Sequence, residues 1–180
     1  PYGNGTPLLS AATLIGDEPF VYAFGDDLVK SKVSFTRQLV DTYKRERAPM
    51  IGVQEVSEDD VEKYGIVKYR EGTQELEDII EKPAKEEAPS MHADFGRMIL
   101  NRDIVDILAR TEKGKGNELW IIDAIKNFIQ EGGRFLAKEV EDGVWITTGD
   151  PENYLRATLA YAADRPELAS VLKEYCEGKH

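Results

Sequence analysis

Phe20-Val21-Tyr22-Ala23-Phe24 is a short apolar run that stops abruptly at Gly25-Asp26-Asp27. A run of this length, bounded by turn residues, predicts a buried β-strand. Ser34 stands ahead of residues 35–44, whose apolar positions 35, 39, 40 and 43 fall on one face of a helix. Residues 49–56 read as the next strand. Strand, helix and strand joined by short links predict a parallel, right-handed crossover in an α/β fold. In open sheets of that class, ligands bind just beyond the carboxyl ends of the strands. Asp26 therefore stands where a carboxylate can hold Mg²⁺ against a phosphate. Aspartate pairs also make ordinary polar turns, so the motif alone leaves both readings open.

The remaining elements extend the same pattern. Residues 7–14 predict a short helix with Thr6 as N-cap and Pro7 in its first turn. Ser57 and Asp60 form a capping box ahead of a single helical turn that reaches Tyr64. Residues 66–69 and 76–81 flank Arg70-Glu71-Gly72-Thr73 and predict a hairpin, followed by a charged, proline-containing surface loop over 82–90. Residues 93–100 predict a strand, and Asn101 caps a helix through Leu108. After a loop over 111–117, residues 118–131 predict a helix that buries Leu119, Ile122, Ile125 and Ile129 and stops at Gly132. Residues 135–140 and 144–148 predict a second hairpin around Asp142-Gly143. Asp150-Pro151 opens a helix to about Ala163, and a last helix covers 166–175. No internal repeat or linker divides the sequence, so residues 1–180 are expected to form a single domain.

Composition narrows the function. A net charge of −11 argues against a nucleic-acid backbone partner, which calls for a basic patch. It leaves nucleotides open, because local N–H groups, one or two lysines and a metal suffice to bind them. The single cysteine, Cys176, excludes an intrachain disulfide and a cysteine metal cluster, as suits a reducing cytoplasm. No apolar run is long enough to cross a bilayer, so no membrane partner is expected.

Two further local sequences are hard to explain by packing. In Lys63-Tyr64-Gly65-Ile66-Val67, a glycine opens a strand and lets a ligand approach the backbone. In Ile80-Glu81-Lys82-Pro83, a strand end delivers an acceptor beside a cation. A carboxylate can accept from two sugar hydroxyls and an ammonium can neutralise a phosphate, so the pair suits a sugar phosphate. Taken alone, Glu81 and Lys82 also read as a weak surface ion pair.

In order along the chain, these blocks resemble the sugar nucleotidyltransferase family, in the branch of the bacterial UTP–glucose-1-phosphate uridylyltransferases. The matching text includes Ile15-Gly16-Asp17-Glu18-Pro19-Phe20, Gly25-Asp26-Asp27, Ile51-Gly52-Val53-Gln54-Glu55-Val56, Lys63-Tyr64-Gly65-Ile66-Val67 and Ile80-Glu81-Lys82-Pro83. It continues through Glu86-Glu87-Ala88-Pro89-Ser90, Gly96-Arg97, Asp123-Ala124-Ile125 and Tyr154-Leu155-Arg156-Ala157-Thr158. The resemblance implies a Rossmann-like mixed α/β sheet flanked by helices, of the nucleotide-diphospho-sugar transferase type. It implies attack of glucose 1-phosphate on the α-phosphate of UTP, giving UDP-glucose and pyrophosphate with Mg²⁺ as cofactor. By position, Asp26 would ligate Mg²⁺ and Lys82 would bind the sugar phosphate, and these two are the catalytic candidates. Gly65 would meet the glucose through its backbone, Glu81 would bind its hydroxyls, and Gly3 would lie by the uridine. Glu118 would either contact the sugar or face the helix dipole. Family members are cytoplasmic dimers or tetramers, which implies a homo-oligomer.

The sequence departs from the family at several points. The family's Gly-x-Gly-Thr-Arg triphosphate loop and the lysine after it have no counterpart in these 180 residues. The expectation is a partial domain that lacks the N-terminal βαβ portion and its strands, inactive by itself. Thr147 stands where relatives place a metal-binding aspartate, and a hydroxyl is a poor Mg²⁺ ligand beside a carboxylate. Met91-His92 replace Asn-Leu, and Trp120 and Ile122 replace a glutamine and a threonine. These swaps support an alternative: a divergent or non-catalytic sugar-phosphate-binding paralogue with a regulatory role.

Overall fold

The computed structural model describes residues 2–178. Its elements in chain order are α1 (Gly5–Ile15), β1 (Phe20–Ala23), β2 (Asp27–Ser31), α2 (Phe35–Glu46), β3 (Met50–Glu55), β4 (Gly65–Tyr69) and β5 (Leu76–Glu81). These are followed by β6 (His92–Leu100), α3 (Arg102–Arg110), α4 (Ile121–Gln130), β7 (Leu136–Glu139), β8 (Gly143–Thr147), α5 (Pro151–Ala163) and α6 (Pro166–Cys176).

The main sheet is mixed and six-stranded, in the order β5-β4-β6-β3-β7, with β1 pairing onto β6. The long strand β6 organises it. Along one edge β6 pairs antiparallel with β3, and along the other with β4 at Ala93 and with β1 over Arg97–Leu100. Only β3 and β7 are parallel neighbours. Since β1 and β3 both run against β6, they run in the same direction, but β6 lies between them. The predicted crossover is therefore present with a strand inserted at its centre. β1, β3, β4 and β7 run one way and β5 and β6 the other, so the C-terminal end of β1, the N-terminus of β4 and the C-terminus of β5 come together part-way along one edge of β6, around Asp94–Arg97.

The two faces are covered differently. On one, Phe35 and Leu39 of α2 pack with Met50, Phe95, Ile99 and Leu136. On the other, Ile104 and Leu108 of α3 and Ile121, Ala124, Ile125 and Ile129 of α4 cover Ile51, Val53, Val67, Ile79 and Met98. Gly52 sits where a side chain has no room. A Cβ there would lie 2.6 Å from both Phe35 and Phe95, whose rings pack with centroids 5.2 Å apart. Beside it the β3–β6 register shifts between Ile51 and Gly52, leaving Gly96 and Arg97 out of the ladder with β3. Such a bulge frees backbone groups and re-aims them.

Most elements fall where the sequence puts them, including the Ser34, Asn101 and Asp150 caps, which accept from the N–H groups of Arg37, Ile104 and Asn153. Five expectations need correction. The run from Phe20 is an edge strand rather than a buried one: β1 alternates half-buried and exposed residues and ends at Ala23, and Asp27 already belongs to β2. The predicted hairpin over 135–148 does not form. Buried Leu136 and Ala137 take β7 into the main sheet beside β3, while β8 pairs antiparallel with β2 in a separate two-stranded sheet. Burial in the sheet outweighs local pairing, because an isolated hairpin is marginal in water.

The other three corrections concern helix starts. α4 begins at Ile121, not Glu118, and buries Ile121 and Ala124 where the sequence reading had Leu119 and Ile122 leading the face. Trp120, at its N-cap, has no side-chain acceptor, and Asn4 supplies one from far along the chain, its Oδ1 accepting from Ile121 N at 2.9 Å. Asn4 rather than Thr6 precedes α1, and the Thr6 hydroxyl instead donates to the Tyr2 carbonyl. Likewise, Ser57 and Asp60 bond side chain to side chain at 2.6 Å in place of a reciprocal capping box.

Gly52→Val should cost about 1–3 kcal/mol by overpacking the Phe35–Phe95 contact. A urea denaturation midpoint equal to that of the parent protein would refute this account of the glycine.

Candidate active site

The two aspartates that end the opening run separate in the fold. Asp27 is buried, at 7 % exposure. Its Oδ2 accepts from the N–H of Gly96 at 2.8 Å, and its Oδ1 accepts from the Trp145 indole N–H at 2.6 Å. Its carbonyl accepts from the Arg97 guanidinium at 2.8 Å. Burial raises its pKa above the ordinary aspartate range in spite of these bonds, with Asp26 adding a smaller push in the same direction. Asp27 thus fastens β2 to the bulge of β6 and to Trp145 of β8. Trp145 itself stacks on Phe95 at a centroid distance of 5.3 Å.

Asp26, by contrast, is exposed in the turn before β2. Its carbonyl accepts from Thr148 N at 2.7 Å and from the Thr148 hydroxyl at 3.0 Å. The β2–β8 register sets Asp27 opposite Thr147. As a result the Asp26 carboxylate and the Thr147 hydroxyl face one small space: each lies 3.5 Å from where a Cβ on Gly149 would be. Thr147 is therefore beside Asp26, as its position in the sequence implied.

Beside the same stretch of β6, Gly65 opens β4 and Glu81 closes β5, directly opposite each other in the ladder. A Cβ on Gly65 would stand 3.4 Å from Glu81 Oε2 and would collide with Asp94 Oδ1. Three predicted residues meet here, since Lys82 follows Glu81 and its Nζ lies 3.9 Å from Glu81 Oε1. Both Glu81 and Lys82 are exposed. Lys82 has a left-handed backbone, φ 48°, and its N–H donates to Tyr64 O at 3.0 Å. That conformation is uncommon for a side-chain-bearing residue. It turns the chain sharply out of β5.

Gly3 and Glu118 form a separate group. Gly3, at φ 63°, packs so tightly on the backbone of Leu119 that a Cβ would stand 2.7 Å from Leu119 N. Gly5 N donates to Leu119 O at 2.8 Å. Both glycines of the opening loop therefore have a packing reason, and they dock against the segment that carries Glu118. Glu118 is half-buried in an extended stretch before α4, not inside the helix.

Asp94, on β6, is the residue the sequence reading missed. It is half-buried, and its pKa is pushed up to about 7, first by burial and then by the charges of Glu81 and Asp27. A carboxyl perturbed in this way at the mouth of a site marks a functional candidate. The only available signal was an acid in the middle of an apolar strand, His92-Ala93-Asp94-Phe95. His92 is half-buried against Tyr69, with ring centroids 5.6 Å apart, and lies 4.0 Å from Glu139. Trp120 donates its indole N–H to Lys115 O at 3.0 Å. Among the described residues no three His, Cys, Asp or Glu side chains gather closely enough to hold a metal by themselves. None of their helices is long and apolar enough to cross a membrane.

A mixed sheet covered on both faces by helices, with acids and a lysine gathered beside β6, places the chain in the α/β class with a candidate ligand site on its sheet. The sequence model of the Nucleotidyl transferase family matches residues 2–164, and the chain belongs to that family. Among curated relatives it is 36 % identical, over 97 % of its length, to a UTP–glucose-1-phosphate uridylyltransferase of Streptococcus pneumoniae. A Bacillus subtilis protein of the same name is likewise 36 % identical, over 98 % of the chain. The chain spans only 60 % of either relative. Among solved structures it is similar to a UDP-glucose pyrophosphorylase complexed with UDP-glucose, with TM-score 0.82 and 34 % identity over 91 % of this chain and 63 % of that one. A UDP-glucose pyrophosphorylase from Acinetobacter baumannii gives TM-score 0.86 at 26 % identity, covering 100 % of this chain and 63 % of the other.

The raised pKa of Asp94 has a stability consequence. An acid that holds its proton more tightly when folded stabilises the fold fully below the ordinary value of 3.8, and that contribution is lost as pH rises through about 7. Asp94→Asn should therefore match the parent protein's melting temperature at about pH 4 and exceed it by about pH 8. A difference between the two melting temperatures that is flat with pH would refute the shift.

Proposed function

We propose that this chain carries the sugar-phosphate half of a UTP–glucose-1-phosphate uridylyltransferase site. The observation that carries the reading is the meeting of Gly65 and Glu81 across one ladder, with Lys82 next in the chain and Asp26 following β1 beside the same stretch of β6. The family membership and the names of the relatives support it. In the reaction, a phosphate oxygen of glucose 1-phosphate attacks the α-phosphorus of UTP. The bond to the bridging oxygen breaks, and pyrophosphate leaves with the electron pair. In such transfers the protein mainly positions reactants and offsets charge.

Each residue has a part that follows from its surroundings. Gly65 meets the sugar through its backbone, with the Glu81 carboxylate beside it. Glu81 accepts from sugar hydroxyls. Lys82, exposed and only weakly engaged by Glu81 at 3.9 Å, is free to swing its ammonium onto the sugar phosphate. Gly3 and Glu118 border the nucleotide side, where the opening loop meets Leu119. Asp26 is the residue that would hold Mg²⁺. One exposed carboxylate beside the Thr147 hydroxyl suits an ion that keeps several waters and takes its remaining ligands from substrate phosphates. When bound, Mg²⁺ would neutralise phosphate charge in the transition state.

The family's triphosphate loop has no counterpart in these 180 residues, so the chain by itself is proposed not to turn over. The reading extends to a cytoplasmic homo-oligomer, supported by exposed Leu155, Leu159 and Val171 on α5 and α6.

The test is pyrophosphate release from UTP, glucose 1-phosphate and Mg²⁺ by the full-length polypeptide that carries this sequence. Asp26→Ala should abolish metal-dependent turnover, and near-parental activity would refute the metal assignment. Lys82→Ala should raise the KM for glucose 1-phosphate about tenfold, as loss of one charge-assisted hydrogen bond does, with a smaller change in kcat. An unchanged KM would reduce Lys82 to a surface charge.

A further inference from the structure

Asp94 is a carboxyl that no part of the reaction above uses, placed beside the residues proposed to read the sugar. Its Oδ1 occupies the Cβ side of Gly65, the side on which Glu81 Oε2 also lies. The two acids reach this point from different strands, Asp94 from β6 and Glu81 from β5, with β4 between them. Gly65 is thus a glycine because two carboxyl groups fill the space its side chain would need.

The charged groups facing Asp94 are both acids, Glu81 from β5 and Asp27 from β2. Its β3 partner in the ladder is the uncharged Val53. Among the described residues, the only hydrogen bond its carboxyl takes is from its own N–H. Lys82 reaches toward Glu81 rather than Asp94. A carboxyl so enclosed, with like charges and no cation, keeps its proton to about neutrality and is then a donor as well as an acceptor.

We propose that Asp94 is a second sugar-reading residue: its carboxyl donates a hydrogen bond to one hydroxyl oxygen of the hexose 1-phosphate while Glu81 accepts from a neighbouring hydroxyl. This rests on the sugar-phosphate reading of Gly65, Glu81 and Lys82. A donor beside an acceptor fixes the ring by its hydroxyl pattern, as either acid alone would not. Ionisation of Asp94 removes the donor and sets two negative charges against one sugar, so affinity should fall as pH rises through about 7.

The test is calorimetric binding of glucose 1-phosphate to the full-length polypeptide that carries this sequence and to two variants of it, each checked for folding by its thermal melt. Asp94→Ala should weaken binding about tenfold. Asp94→Asn, which keeps an uncharged donor, should bind as the parent protein does near neutral pH and lose the decline at higher pH. That pattern supports the proposal. Unaltered binding in Asp94→Ala overturns it and leaves the uridylyltransferase reading standing. Equal losses in both variants with no pH dependence also overturn it, because Asp94 would then only support the fold. If neither the parent protein nor any variant binds the sugar phosphate, both readings fall together.

Discussion

A single buried carboxylate joins the small sheet of this protein to the large one. Asp27 accepts from the backbone of Gly96 on β6 and from the indole of Trp145 on β8, while its own carbonyl takes the Arg97 guanidinium. A carboxylate shut away from water is costly unless its oxygens are bonded, and here both are. The bulge at Gly96 and Arg97 makes this possible, because it releases the Gly96 N–H from the ladder with β3. The stack of Trp145 on Phe95 closes the joint from the other side.

The candidate site follows from that joint. With β2 and β8 held against the sheet, the turn before β2 has one position, and Asp26 projects from it beside Thr147. On the main sheet, the antiparallel run of β5, β4 and β6 brings Gly65, Glu81 and Asp94 to one point. The acids form a line from Asp26 through Asp27 and Asp94 to Glu81, close enough that Asp94 feels its neighbours on both sides. In the proposed reading the sugar hydroxyls meet Asp94 and Glu81, and the phosphate turns toward Lys82.

Much of this was legible residue by residue. The short elements were readable because their signals are local: Ser34, Asn101 and Asp150 cap the helices they precede. Glu81 and Lys82 were readable as a pair because they are adjacent in sequence. What escaped was set by distant partners. β7 and β8 look like a hairpin around Asp142-Gly143, yet each finds a better ladder elsewhere, β7 with β3 and β8 with β2. The start of α4 depends on Asn4, more than a hundred residues away in the chain. Asp94 carries no motif, and its chemistry comes entirely from neighbours on other strands.

The sequence by itself determined the class of fold, the helix boundaries that depend on local caps, and the set of chemically capable side chains, Asp26, Gly65, Glu81 and Lys82 among them. These are consequences of periodicity, capping and residue type, which act over a few positions. Only the tertiary structure decided which of two adjacent aspartates is a brace and which is open to a ligand. It also made Gly65 a point where two acids converge, and set Asp94, an oddity in an apolar strand, where burial and neighbouring acids raise its pKa. The physical reason is common to all three. Burial and electrostatic environment are properties of what folds alongside a residue, and in this protein those neighbours come from other strands.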